Sequence, residues 1–454
     1  MHIIAQIKRF GKYAPWAVLA LSILVHALFF GHPNEIVFDE VHFGKFLSAY
    51  FTHQYYFDIH PPLGKLILAG WGWLWGFQPG FSFTNIGDAY PDHFALMLRF
   101  LPTLAGTLLP LVLYGIARQL RFSRTAALLV GVLVALDNAL LVQSRLILLD
   151  SFLLLFGFSA VWCYLRAIDA PPARIGAWLS AAGIFGGMAM SIKWTGATFL
   201  ALIVIVELPR LWKMRRSGFR IPVTSALTLL MLPVIVYTAI FIAHFLLLTR
   251  TGTGDAFMSA RFQHDLIGST FAADTSLAPL SPLEKTIELN IEMYRSNQRL
   301  TASHPYASMW YTWPFMDRSI YYWVDGTSRI YLLGNPFIWW ASTIAVFAVI
   351  ANVLFTHPRK TPRVLFVLLG AWLMNLLPFI GIHRVMFLYH YFPGLLWAIL
   401  MLGYLVDRSR HRVHIAGALV LVALIGFVYF APLSYGLPLS DAAYNARTWF
   451  NSWR

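Results

Sequence analysis

Residues 415–430 read IAGALVLVALIGFVYF, an uncharged run entered through Arg408, Arg410 and Arg412. Such a run approaches the roughly 20 residues that carry a helix across a hydrocarbon core, and short Lys/Arg clusters beside it mark a cytoplasmic end. The same pairing of apolar run and basic cluster recurs back to the N-terminus. Hydrophobic residues make up 58% of the 454, charged residues 12%, and the mean hydropathy is +0.64. These values exclude an ordinary soluble protein. The solvent for most of the chain is lipid, and no stretch is left over for a large soluble domain.

A formal charge of +14 could suggest nucleic acid, but 19 of the 34 Lys and Arg lie in short clusters that flank apolar runs. That is topology signal, and no nucleic-acid partner is expected. The clusters are Lys8 to Lys12, Arg118 to Arg124, Arg166 to Arg174, Arg210 to Arg220, Arg359 to Arg363 and Arg408 to Arg412. Taken as cytoplasmic, they give an alternating path of about eleven transmembrane helices. The expectation is an all-α polytopic membrane protein with one membrane-embedded domain over residues 1–454. Its first run, Ala14 to Phe30, begins as a secretory signal would. His32-Pro33-Asn34-Glu35 follows in place of a small-residue cleavage site, so a retained span is expected. The lone Cys163 excludes an intramolecular disulfide and a cysteine-based metal site.

Two turns on the far side are long. The first, residues 32–94, holds six acids and two lysines, the opposite balance to the cytoplasmic loops. The second, residues 249–329, is rich in Ser, Thr, Asn, Tyr and Trp; helical spacing runs from Leu283 to Tyr294, with Pro282 placed to open a helix after Ser281. The remaining far-side turns, near Gln143 to Arg145, Ser191 to Lys193 and Gly381 to Arg384, are short and each carries a cation.

Three constellations could carry chemistry. Asp39 and Glu40, in FDEVHFGKF from Phe38, lie just after the first span. Two carboxylates at a membrane surface suit acid/base work, because a low-dielectric floor raises a carboxyl pKa; a solvated loop pair is the plainer description. His60 sits in YYFDIHPPLGK, where two prolines fix the backbone before an apolar stretch, Leu66 to Phe77, that reads as an interfacial helix. His304-Pro305-Tyr306 with Trp310 and Trp313 could face a sugar or form an interfacial belt.

Beyond single motifs, an ordered set resembles the protein O-mannosyltransferase family: FDEVHFGKF, FDIHPPLGK, ALDNALLVQSRLILLDSFLLLF from Ala135, SIKWTGA from Ser191, GNPFIWW from Gly334 and RVMFLYHYFPGL from Arg384. The resemblance implies a glycosyltransferase C type fold with an exoplasmic active site in a prokaryotic inner (plasma) membrane. It implies transfer of mannose, with inversion, from a polyprenyl-phosphate donor to Ser or Thr hydroxyls of exported polypeptides. By position, Asp39 would be the general base and Glu40 its neighbour orienting acceptor and loop. A phosphodiester leaves without a general acid, unlike a glycoside, which needs two carboxylates. Cations can meet its developing charge, and the candidates are Arg99, Arg145, Lys193 and Arg384, with His390 beside Tyr389. Ionisable residues in or at the end of spans are functional candidates by default, although Arg145 and Arg384 could also snorkel to the interface.

The family's eukaryotic members carry a β-trefoil insert in the second loop. Residues 249–329 are too few for one, so the chain resembles a shorter prokaryotic form, and its oligomeric state is left open. Another sugar, or a glycolipid or polysaccharide acceptor, would fit the same composition. Transport is disfavoured because the acids cluster in one exoplasmic loop and no repeated halves are visible. No cofactor is expected, and no metal, since the His and acidic residues show no ligand spacing.

Overall fold

The computed structural model describes residues 13–91, 93–214, 220–299, 303–382 and 384–454. The cluster Lys8 to Lys12, Asp92, and the side chains of the Arg210 to Arg220 cluster lie outside the described residues. Eight helices are long and apolar enough to span a membrane, or nine if the bent pair Arg124–Ala135 and Asn138–Ser144 is one span. Shorter apolar helices at Ala14–Ala27 and Trp194–Pro209 stand where the expected count of eleven places two more spans.

In chain order the main elements are α1 (Ala14–Ala27), α2 (Glu40–Thr52), α3 (Leu63–Leu74), α4 (Phe94–Gln119), α5 (Arg124–Ala135), α6 (Asn138–Ser144), α7 (Asp150–Ile168), α8 (Pro172–Ile192) and α9 (Ala197–Met214). There follow α10 (Val223–Leu247), α11 (Pro282–Arg299), the strands β1 (Ile320–Asp325) and β2 (Ser328–Leu332), α12 (Pro336–Phe355), α13 (Arg363–Met374), α14 (Phe392–Arg408) and α15 (Arg412–Tyr435). Their boundaries have local causes. Proline occupies the first turn of α8, α12 and α14, where its missing N–H has no intrahelical partner to lose. Ser281 and Glu284 form a reciprocal capping box at α11: the Glu284 carboxylate accepts from Ser281 N at 2.8 Å and the Ser281 hydroxyl from Glu284 N at 3.3 Å.

The 58° bend between α5 and α6 is where the chain leaves regular helix inside the apolar layer. Asp137 resolves it. Its carboxylate, fully buried, accepts from Leu140 N at 3.0 Å as the cap of α6, from Asn335 N at 3.1 Å and from Trp339 Nε1 at 2.7 Å. Asn335 in turn donates to the carbonyls of Leu136 (3.2 Å) and Ala423 (2.8 Å). One polar knot thus joins α6, the start of α12 and α15, as an apolar solvent requires.

The far-side segments form a folded cap. The apolar stretch expected at Leu66 to Phe77 is helical from Leu63 to Leu74, starting directly after Pro61-Pro62. An antiparallel hairpin, absent from the all-α expectation, is made by β1 and β2. The C-terminal tail packs under it, with Ser319 Oγ donating to the Trp453 carbonyl at 3.0 Å and Trp453 Nε1 to the Met316 carbonyl at 2.8 Å. The first and second loops join through Tyr55 N, which donates to the Arg250 carbonyl at 2.8 Å. Gly44 in α2 is required by close approach: a Cβ there would lie 2.0 Å from the Phe83 ring.

Replacing Asp137 with Ala leaves three buried donors without an acceptor. At about 1 kcal/mol or more for each unsatisfied group, the loss is roughly 3 kcal/mol. A clearly lowered melting temperature in detergent is expected; an unchanged one would remove the knot from the fold's supports.

Candidate active site

Glu40 and Arg99 are both fully buried and pair at 2.6 Å. Arg99 uses all five N–H groups: Nε to Glu40 Oε1 (2.7 Å), Nη1 to the carbonyls of Gly31 (3.2 Å) and Pro33 (2.6 Å), and Nη2 to the Glu35 carbonyl (2.7 Å) and Glu40 Oε2 (2.6 Å). Glu40 also accepts from Val37 N (2.8 Å), Tyr90 Oη (3.2 Å) and Ile147 N (2.9 Å). Burying two ions is costly unless every donor and lone pair is matched, and here they are. The pair ties the first loop to α4 and to the chain just before α7.

This arrangement leaves its neighbour free. Asp39 stands at the N-cap of α2 without making a side-chain cap bond, and no described group hydrogen-bonds its carboxylate. Phe38, immediately before it, holds φ +50°, a region that non-glycine residues rarely adopt. Its ring stacks on Tyr322 of β1 at 3.9 Å and 7°. Burial pushes the Asp39 pKa up from the usual range to about 7, with Lys193 opposing and Asp150 and Asp58 reinforcing the shift. A carboxyl poised near neutrality suits general-base work.

A cavity of about 230 Å³ is lined by His60, Asp150, Lys193, Arg384, Tyr389 and His390, with an apolar wall that includes Leu153, Leu154, Ile382 and Phe392; Asp39 does not line it but feels the charges of its Lys193 and Asp150. Lys193 holds an extended conformation (φ −147°, ψ 145°) in the break between α8 and a 3-10 turn at Trp194–Gly196. Its ammonium pairs with Asp150 at 2.7 Å and lies 5.2 Å from the centre of the Tyr389 ring. Arg384 has no ion pair or hydrogen bond among the described residues and is the cation left over in the cavity. His60 is driven well below its ordinary pKa by burial and then by Lys193 and Arg384, so it is neutral near pH 7. The first loop also places Asp58 against Lys65, whose ammonium donates to the His60 carbonyl at 2.7 Å. His390 bonds the Phe387 carbonyl through Nδ1 at 2.9 Å and stacks on Trp313 at 5.8 Å and 12°, leaving Nε2 free of that bond.

Of the residues expected from sequence, the fold therefore gathers His60, Lys193, Arg384, Tyr389 and His390 around one cavity, with Asp39 in electrostatic reach of Lys193 and Asp150. It corrects others. Arg99 has no N–H left for a phosphate. Arg145 donates to the carbonyls of His26 (3.1 Å), Leu28 and Phe29 and packs on the Tyr435 ring, so it braces the end of α1 instead of lining the cavity. Glu40 fixes the loop, and its fully buried carboxylate leaves no room for an acceptor. His304 is exposed and packs on Phe387 outside the cavity. Sequence reasoning missed Asp150, although an acid in the apolar run LLDSFLLLF is the signal for it. Among the described residues no cluster of three or more His, Cys, Asp or Glu could hold a metal ion.

A helical membrane domain with an acid-bearing loop folded over an apolar, cation-lined cavity defines a polytopic glycosyltransferase C fold, and the comparisons agree. The fold matches a solved structure of the Saccharomyces cerevisiae protein O-mannosyltransferase Pmt1-Pmt2 complex bound to the sugar donor, with a TM-score of 0.91, 22% identity, and coverage of 98% of this chain and 92% of that one. ArnT from Cupriavidus metallidurans bound to undecaprenyl phosphate is a more distant match, with a TM-score of 0.54 and 16% identity over 91% of this chain and 62% of that one. Residues 16–249 match the family described as dolichyl-phosphate-mannose-protein mannosyltransferase, and residues 282–453 its C-terminal four-transmembrane region. The chain belongs to this family. Among curated relatives, protein O-mannosyltransferase 1 of Drosophila pseudoobscura pseudoobscura is 36% identical over 279 residues, 59% of this chain and 30% of that protein. Dolichyl-phosphate-mannose--protein mannosyltransferase 4 of S. cerevisiae is 32% identical over 282 residues, 58% and 37% respectively. In these matches the chain spans about a third of the relatives' length.

Arg99→Ala leaves Glu40 charged and unpaired in the interior, and the expected loss is about 3–5 kcal/mol of stability. It should appear as a lowered melting temperature and a poor yield of folded protein. A variant that folds like the wild type but no longer binds polyprenyl phosphate would return Arg99 to the ligand.

Proposed function

We propose that the protein transfers mannose from a polyprenyl-phosphate-mannose donor to Ser or Thr hydroxyls of exported polypeptides, with its cavity on the exoplasmic side of the plasma membrane. One observation carries this reading: a carboxyl with its pKa raised to about 7 lies within electrostatic reach of a cavity that holds an apolar wall and a guanidinium without an ion pair among the described residues. Family membership supports the sugar and the acceptor class.

The chemistry follows from the placement. Asp39 takes the proton of the acceptor hydroxyl as its oxygen attacks the anomeric carbon. The bond from that carbon to the phosphate oxygen breaks on the opposite face, so configuration inverts. The departing polyprenyl phosphate gains negative charge as it leaves, and Arg384 and Lys193 meet that increase. Only interaction that strengthens in the transition state accelerates the step, and a cation facing a phosphate that becomes more anionic does so. His60, neutral near pH 7, and His390 supply hydrogen-bonding groups to sugar hydroxyls. The Leu and Phe wall suits the first isoprene units.

Asp39→Asn should fold normally and lose transfer by a factor on the order of 100 or more, measured with labelled mannose and a Ser/Thr peptide. Full activity in that variant would remove Asp39 from the mechanism. The wild-type rate should rise with pH through a single ionisation near 7, because a raised pKa keeps the base protonated below that value and ionised above it. A flat profile from pH 6 to 8 would count against a base titrating there. Arg384→Ala should raise the apparent KM for the donor; an unchanged value would separate this residue from the phosphate.

A further inference from the structure

Tyr322, in the middle of β1, is buried and makes two contacts of different kinds. Its ring stacks face to face on Phe38, the residue before Asp39. Its phenol lies 2.6 Å from Gln143 Oε1 on α6. Gln143 Nε2 is 2.7 Å from Asp150 Oδ2 at the start of α7, and Asp150 Oδ1 is 2.7 Å from the Lys193 ammonium in the cavity. The direction of this chain of bonds is forced. An ionised carboxylate can only accept, so the amide nitrogen must face Asp150; the amide oxygen then faces Tyr322, which must donate. Burial holds the Tyr322 phenol well above its ordinary pKa, so it keeps its proton.

We propose that Tyr322 is a positioning residue that couples the two halves of the reaction, setting the Asp39 backbone through Phe38 and the Lys193 ammonium through Gln143 and Asp150. The inference rests on the transferase reading above, in which Asp39 serves the acceptor and Lys193 the donor phosphate. Lys193 alone would be a flexible point charge that turns toward any anion. Asp150 takes one of its three N–H groups, and Gln143 fixes which oxygen of Asp150 is available. Without Gln143 the carboxylate can rotate and take a larger share of the ammonium, leaving less of it for phosphate. The ring contact works separately, because it restrains a backbone that Phe38 would not adopt by preference. The hairpin is therefore part of the site although no atom of Tyr322 lines the cavity.

The two contacts can be separated by substitution. Tyr322→Phe keeps the ring and deletes the phenol; Gln143→Leu cuts the relay and leaves the hairpin untouched; Tyr322→Leu removes both contacts. Steady-state transfer of mannose from polyprenyl-phosphate-mannose to a Ser/Thr peptide is measured for each, with melting temperatures alongside. Tyr322→Phe and Gln143→Leu should each raise the donor KM about fivefold, the scale of one lost hydrogen bond, without moving the peptide KM. The double variant should be no worse than Gln143→Leu, because both cut one chain. Tyr322→Leu should in addition lower kcat. Equal donor KM in wild type and Tyr322→Phe, or additive losses in the double variant, would overturn the relay. If Tyr322→Phe does not fold, Gln143→Asn shortens the relay from the other end and carries the same expectation. A wild type that does not use this donor would overturn the transferase reading itself, whereas a working wild type with an indifferent Tyr322→Phe overturns only the coupling.

Discussion

The buried pair of Glu40 and Arg99 is the constraint from which the site is built. A guanidinium on a membrane helix is expensive to keep dry, and this one is made tolerable by five acceptors, three of them carbonyls of the chain between Gly31 and Glu35. The segment that follows the first span is thereby prevented from behaving as a surface loop and becomes part of the membrane domain. Glu40 extends the same tie to the backbone at Ile147, close to where α7 begins with Asp150. One carboxylate of the adjacent pair is saturated with bonds, while the other is part-buried, has no hydrogen bond among the described residues, and is the base of the proposed reaction. A lone acid on a mobile loop would be solvated and titrate in the usual carboxyl range, useless as a base near neutrality.

Charge in the cavity is arranged with similar economy. Lys193 is offset by Asp150, His60 is kept neutral, and Arg384 has no ion partner among the described residues. A diester donor bears about one negative charge and the departing monoester up to two, by the ionisation of phosphate near pH 7. A cavity with two unpaired cations would hold the product too well. One guanidinium, plus an ammonium already engaged, would match the proposed diester donor in the ground state and have more to offer as charge develops.

Much of this was legible in the sequence and some was not, for physical reasons. Lipid as solvent makes spans obvious, and local caps such as Ser281 with Glu284 follow from spacing alone. His60, Lys193, Arg384, Tyr389 and His390 come from motifs scattered over some 330 residues, and the fold brings them to one cavity, with Asp39 in electrostatic reach of it. Arg99 and Arg145 show the limit. An arginine in a span must have partners, but sequence does not say whether these are a ligand or the chain's own carbonyls, since the carbonyls become acceptors only once the loop has folded over. The hairpin did leave a trace. IYYWVD and SRIYL flank the two-residue link Gly326-Thr327, and Gly326 adopts φ +53°, a glycine-first turn of the kind hairpins favour.

Irregular backbone within the apolar layer is tolerated only where it is satisfied by protein or lines a cavity, and the chain shows both solutions. At Leu136 and Asp137 the break between α5 and α6 is closed by Asn335 and Trp339, so the Leu136 carbonyl and the Asp137 carboxylate find partners within the protein. At Lys193 the break between α8 and the following 3-10 turn is left facing the cavity, with its side chain tied on one side to Asp150. The two breaks resemble each other in sequence, an ionisable residue interrupting an apolar run. What separates structure from chemistry is whether the surroundings complete the bonding of that residue. Asp137 is completed and serves the fold; Lys193 is left incomplete and faces the donor's phosphate in the proposed reaction. By the same criterion Arg99 belongs with the first and Arg384 with the second, which is why two arginines that look alike in the sequence take opposite roles once the loop closes over one of them.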